Sequence, residues 1–311
     1  MSARRVVRLA PAKVNLTLSV LGRRPDGYHE LDSLMWALPL ADRVEVRETP
    51  REAGLALEVT GPASAGVPSD DSNLALRAAR VVLELASERG HEPGGAHLLL
   101  EKHVPAEAGL GGGSSDAIAA GLASAELWGL DPADDELGDR LAALGSDCAF
   151  FLRARATGFA RCRGRGERVQ PLAPLELPWT LALLTPSFGC STAAVYGALG
   201  SLPPRPPARE LAPETLGEAS LEVLSAWLSN DLEEAARRVS PPLRELRGRL
   251  EELAPGRFHL AGSGSSCFGF FPDAPAAEAL LERLASEDRG RRFALRGRWV
   301  LPPRGPAALP R

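Results

Sequence analysis

Residues 108–117 read Ala-Gly-Leu-Gly-Gly-Gly-Ser-Ser-Asp-Ala, and this glycine run constrains the fold more than any other segment. Glycine lacks a Cβ, so such a run reaches left-handed backbone and lets N–H groups close around an anion. The Ser-Ser-Asp-Ala-Ile that follows predicts a helix over about residues 114–128. The loop would then lie at a helix N-terminus, where orphan N–H donors and the positive dipole end favour phosphate. A tight turn between strand and helix is the plainer alternative. Neither common phosphate motif accounts for the run. A Walker A loop needs Lys-Ser or Lys-Thr after its last glycine, and Gly113 is followed by Ser114 and Ser115. A dinucleotide fingerprint needs a third glycine where this chain has Ser114.

A chain of 311 residues with 44% hydrophobic content can build two domains with sizeable cores. Its formal charge of -4 argues against general nucleic-acid affinity, so any attraction for phosphate must be local. Cys148, Cys162, Cys190 and Cys267 form no C-x-x-C pair, which predicts buried free thiols rather than a zinc site or disulfides. No run approaches the roughly 18 apolar residues of a membrane helix, and the start lacks a secretory apolar stretch. The expected setting is a reducing cytoplasm, with no nucleic-acid or membrane partner.

Val14, Leu16, Leu18 and Val20 alternate with polar residues, a strand pattern ending at Gly22. A loop over Arg23–Ser33 with a Pro-Asp-Gly turn follows. Short β-like runs recur at 43–48, 55–59 and 96–102, and helical spacing appears from Leu74 to Leu85 and from Leu137 to Leu144. Asn73 reads as the cap of the first of these helices. The pattern restarts with a strand near 179–186, helices that include Leu243 to Leu253, two strands at 258–271, a helix at 275–287 and a last strand. Prolines 203, 204, 206 and 207 mark an irregular loop, and residues 302–311 read as a disordered tail. The class is α+β, strands covered by helices.

Three further segments join the glycine loop: PAKVNLTLSVLGRRPDGYHEL at 11–31, LGSDCAFF at 144–151 and LAGSGSSCFGFF at 260–271. Together and in this order they resemble the signature motifs of the GHMP small-molecule kinases, over roughly residues 9–300. Within that superfamily, PAKVNLTL joined to RPDGYHEL is similar to the branch acting on 4-diphosphocytidyl-2-C-methyl-D-erythritol. The resemblance implies a two-domain GHMP kinase fold: a ribosomal protein S5 domain 2-like N-terminal ATP-binding domain (1–160) with a left-handed βαβ unit, and a ferredoxin-like C-terminal domain (161–301). It implies ATP and Mg²⁺ as cofactors, and phosphorylation of the 2-hydroxyl of that cytidylyl substrate in isoprenoid precursor synthesis. Another GHMP kinase of homoserine or mevalonate type, or a catalytically silent nucleotide-binding protein, stays open as an alternative.

Phosphoryl transfer to an alcohol needs its anionic oxygens neutralised and the hydroxyl aligned and relieved of a proton. Pro105, Ala106, Glu107, Ala108, Gly109, Leu110, Gly111, Gly112, Gly113, Ser114 and Ser115 form the expected ATP cradle. Read alone, Lys13 is a solvated charge and Asp147 a turn or cap residue. The resemblance makes Asp147 the catalytic carboxylate, with Lys13 beside it stabilising charge there and on the transferring group. It also has Tyr28 and Tyr196 sandwich the cytosine, His29 bond its polar edge, and Asn15 and Thr192 contact hydroxyl or phosphate. The plainer alternative for the tyrosines is a core or interface aromatic. GSGSS at 262–266 reads as a second glycine turn, Lys102 as an exposed lysine, and Asp116 as a first-turn carboxylate reaching metal through water. Ala149 stands where the family has a proline, which is expected to loosen the turn at Asp147. No protein metal ligand is assigned.

Overall fold

The computed structural model describes residues 4–200, 213–287, 293 and 295–302. The proline loop at 203–207 and residues 303–311 of the expected tail lie outside the described residues.

One sheet contains β1 (Arg5–Arg23), β2 (His29–Thr49), β3 (Leu55–Thr60), β4 (Gly95–Glu101), β5 (Phe159–Gly164), β6 (Arg168–Pro171) and β8 (Ser229–Asn230). Its main path runs β3-β4-β2-β1-β8, with β5 and β6 continuing from β2. β7 (Thr180–Pro186), β9 (Phe258–Leu260), β10 (Cys267–Phe271) and β11 (Leu295–Leu301) make a second sheet in the order β11-β7-β10-β9. β3 and β4 are parallel and joined through α1 (Leu74–Glu88), whose cap is the expected Asn73: its Oδ1 accepts from Ala75 N at 2.9 Å.

Side-chain alternation sorts the strands into layers. Met35, Ala37, Val44 and Val46 of β2 pack towards α1, α2 (Gly112–Trp128), α3 (Asp135–Ala142) and α4 (Cys148–Arg153). Leu34, Trp36 and Leu38, offset by one residue, pack with Leu181 and Leu183 of β7 and Phe268 and Phe270 of β10. Ala182 and Leu184 point the other way, into a third core with α5 (Thr192–Leu199), α7 (Glu233–Val239), α8 (Pro241–Leu253) and α9 (Ala274–Glu287). α6 (Leu221–Trp227) closes the middle core with Leu224 and Trp227. The order is helices, sheet, sheet, helices.

Three expectations shift. The loop after β1 is shorter, because Arg23 already pairs with His29 and a turn with Tyr28 N bonded to Asp26 Oδ1 closes the hairpin. His29–Ser33 is therefore strand. Leu144 falls beyond α3, which ends at Ala142. The first sheet also runs on through β6 to Pro171, past the division expected at residue 160, because β5 pairs with both β2 and β6.

Candidate active site

α2 is buried almost all round, with only Gly113 and Glu126 outside its buried set. It begins at Gly112, two residues before the expected start, because Gly111 takes the cap position with φ 71° and ψ 13°. That left-handed conformation suits glycine, and space demands it too. A Cβ on Gly111 would lie 3.1 Å from Asp147 Oδ2 and from two carbons of Lys13. The loop before it is fastened on both sides: Lys13 N donates to Leu110 O at 2.9 Å, and Ser266 N to Ala108 O at 3.1 Å. A Cβ on Gly109 would stand 2.1 Å from Ala261 O, so the two glycine motifs touch through backbone.

Lys13 lies in the buried stretch of β1, and its Nζ is 3.4 Å from Asp147 Oδ2. The same Nζ donates to Asn15 Oδ1 at 2.9 Å; Asn15 Nδ2 donates to Ser33 Oγ at 2.8 Å, and Ser33 Oγ to Thr17 O at 2.6 Å. This chain of bonds fixes the ammonium. Asp147 occupies the cap position of α4 without spending its side chain there, so its carboxylate stays free to face the cavity. Ala149 leaves the turn closed, with Cys148 N donating to Gly145 O at 3.2 Å. From the second sheet, Gly262 (φ 55°) approaches so closely that a Cβ would be 3.4 Å from Lys13 Nζ. Thr192 Oγ1 and Ser263 Oγ are hydrogen-bonded at 2.8 Å.

These groups enclose a cavity of about 650 Å³. Of the residues expected there, Lys13, Asn15, Glu107, Gly109, Gly111, Asp147, Thr192 and Tyr196 line it. Glu107 holds φ 55°, the one non-glycine with positive φ among the described residues, a strained conformation of the kind that clusters at working sites. Pro105 and Ala106 line a different cavity, and Ser115 a third. Tyr28 is 56% exposed, with the Arg165 guanidinium 4.7 Å from its ring centre. His29 packs on Tyr196, ring centres 5.1 Å apart. Burial, then the charge of Arg23, holds His29 below its ordinary pKa, and burial pushes Tyr196 up to about 12. The sequence reading missed Ser33 and Arg165 on the wall. A long cation between Gly164 and Gly166 was the available signal for Arg165.

Beneath the loop, Lys102 is not the exposed lysine expected. It is 2% exposed, ion-paired with Asp42 and 2.6 Å from Asp116 Oδ2. Asp42 also accepts from Val104 N at 2.8 Å, so Asp42 holds strand end and loop together. Asp116 lies beyond the first turn, because α2 starts at Gly112, and its carboxylate is spent on Lys102. Burial pushes Asp116 up to about 8, Lys102 opposing and Asp42 reinforcing the shift. Nothing in the sequence marked Asp42 as the third member.

A lysine and a carboxylate facing a glycine-capped helix start can hold an anionic group and take a proton from a hydroxyl. Residues 73–155 match the family model of the GHMP kinases N terminal domain, and residues 211–289 that of the GHMP kinases C terminal. The chain is 41% identical over 281 residues to a 4-diphosphocytidyl-2-C-methyl-D-erythritol kinase of Parvibaculum lavamentivorans, covering 89% of this chain and 92% of that one. It is 43% identical over 283 residues to a protein of the same name from Thermus thermophilus, covering 88% and 92%.

The chain belongs to the 4-diphosphocytidyl-2-C-methyl-D-erythritol kinase family of GHMP kinases.

A crystal structure of 4-(cytidine 5'-diphospho)-2C-methyl-D-erythritol kinase superposes with TM-score 0.71 at 37% identity, covering 95% of this chain and 98% of that one. Homoserine kinase from Cytophaga hutchinsonii superposes at TM-score 0.67 with 16% identity over 97% and 96% of the two chains, which shows the shared GHMP fold alone. Among the described residues no helix is long and apolar enough to cross a membrane.

Proposed function

We propose that this GHMP kinase transfers the γ-phosphoryl group of ATP to the 2-hydroxyl of 4-diphosphocytidyl-2-C-methyl-D-erythritol. The observation that carries the reading is the Lys13–Asp147 pair at 3.4 Å, facing the glycine-capped start of α2. Phosphate oxygens meet the free N–H groups of the first turn of α2 and the positive end of its dipole. Asp147 accepts the hydroxyl proton as the alcohol oxygen bonds to phosphorus, and the bond from phosphorus to the ADP oxygen breaks. Lys13 stabilises charge on the equatorial oxygens. Asn15 holds the ammonium in place for this.

Mg²⁺ fits the donor set. The acids lining the cavity are Glu107 and Asp147, and Mg²⁺ in kinases takes one or two carboxylates with phosphates and waters rather than a protein cage. Glu107, the lining acid without a part in proton transfer, would hold it together with phosphates and water, and it would neutralise phosphate charge. For the acceptor, Tyr196 lines the cavity and Tyr28 presents an open ring face on the β1–β2 loop; we assign both to stacking on cytosine, with His29 at its polar edge. Thr192, bonded to Ser263, is assigned to hydroxyl or phosphate contacts. A coupled ADP-release assay on the cytidylyl substrate, mevalonate and homoserine tests the reading. Turnover only with the cytidylyl substrate is expected, and preference for either other alcohol overturns it.

A further inference from the structure

A second cavity, about 780 Å³, lies along the α2 face that carries Ser115, Ile118 and Leu122. It shares no lining residue with the cavity beside Lys13. Leu9 and Pro11 of β1 and Phe151 of α4 complete a largely apolar wall. Its size is that of a small-molecule pocket.

Two residues on the lining carry a side-chain polar atom that is unmet. Ser115 is 2% exposed and its Oγ has no hydrogen-bond partner; Arg8 Nε is buried and equally unpartnered, although Arg8 Nη2 reaches Glu126 at 2.8 Å. Buried polar groups left without partners are unfavourable and uncommon, and a ligand or ordered water normally meets them. Arg155 stands exposed on the same lining, with no side-chain hydrogen bond or ion pair among the described residues. The acid on the lining, Asp131, already accepts from Ala133 N at 2.9 Å. Apolar walls with guanidiniums suit a chain that ends in one anionic group.

We infer that this cavity binds a small amphiphile, its apolar chain against Leu9, Ile118, Leu122 and Phe151 and its anionic head between Arg8 and Arg155. Phosphate and carboxylate heads share the required chemistry. Because Ser115 sits in the first turn of α2, an occupant bears on the helix whose N-terminus faces the candidate phosphate site.

The test is isothermal titration of the full chain, with and without a non-hydrolysable ATP analogue, using octyl phosphate, octanoate, octanol and inorganic phosphate as probes. One amphiphile is expected to bind one-to-one, about tenfold or more tighter than octanol or inorganic phosphate, as a charge-assisted hydrogen bond implies. Its identity tells a phosphate head from a carboxylate head. Arg155→Gln should weaken that binding about tenfold. Ala133→Trp or Ala156→Trp, each filling the cavity from an exposed lining position, should abolish it at an unchanged thermal midpoint. No heat with either amphiphile, which would mean ordered water only, overturns the inference. So does affinity that survives both tryptophan substitutions. Neither outcome touches the phosphoryl-transfer reading, because the two cavities are separate.

Discussion

At the scale of single residues, Asp147 is constrained by what surrounds it rather than by bonds of its own. Gly111 leaves its carboxylate room, Lys13 faces it, and no cap bond consumes it. Asp147→Asn keeps the volume and removes the carboxylate proposed to accept the proton. We expect kcat to fall by roughly 10²–10⁴, the usual worth of a positioned general base, while titration with ATP analogue gives nearly the parent affinity. Turnover within a few-fold of the parent would remove Asp147 from the reaction. Lys13 and Asp147 were legible only through the four-motif pattern, since each alone reads as an ordinary surface group. Lys102 was misread for a physical reason: burial of a lysine depends on carboxylates arriving from distant segments, Asp42 from β2 and Asp116 from α2.

Elements were easier to read than their joints. Strand alternation and helical spacing located much of β1, β3, β4, α1, α3 and α8, while β5, β6, β8, α4 and α5 went unread. α2 was a separate case: buried all round, it shows no amphipathic stripe and was found from the glycines before it. Its anchor to the sheet is the Lys102 cluster. Two carboxylates share one ammonium in a dry site, and burial there pushes the Asp116 carboxyl up to about 8, so that it keeps a proton further up the pH scale than an unfolded aspartate does. An unfolded aspartate releases it near about pH 4, so between these values unfolding releases a proton and stability falls as pH rises. Asp116→Asn should flatten that decline. Urea midpoints measured from pH 4 to pH 8 for both proteins check this, and parallel profiles would refute the assignment.

Across the whole molecule, one core binds the two sheets into a unit: Val14, Leu16 and Trp36 from the first pack with Leu183, Phe268 and Phe270 from the second. A second tie is polar. Asn230, in the first sheet, donates through Nδ2 to Leu260 O at 2.8 Å and to Gly262 O at 2.7 Å, while its Oδ1 accepts from Leu232 N at 2.9 Å. Gly262 is the residue that closes on Lys13, so the backbone of the second glycine motif is held in place from across the sheet boundary. Removing the amide in Asn230→Ala leaves buried carbonyls without that donor, at a cost of about 1–3 kcal/mol. Because the shared core is untouched, tryptophan fluorescence and far-ultraviolet circular dichroism should still report one coincident transition, moved to lower urea. If Gly262 also fixes the setting of Lys13, kcat should drop further than that of a variant equally destabilised in the outer helix layer. Separate transitions would mean the sheets unfold independently. Equal kcat in the two variants would mean that Asn230 supports the fold without shaping the site.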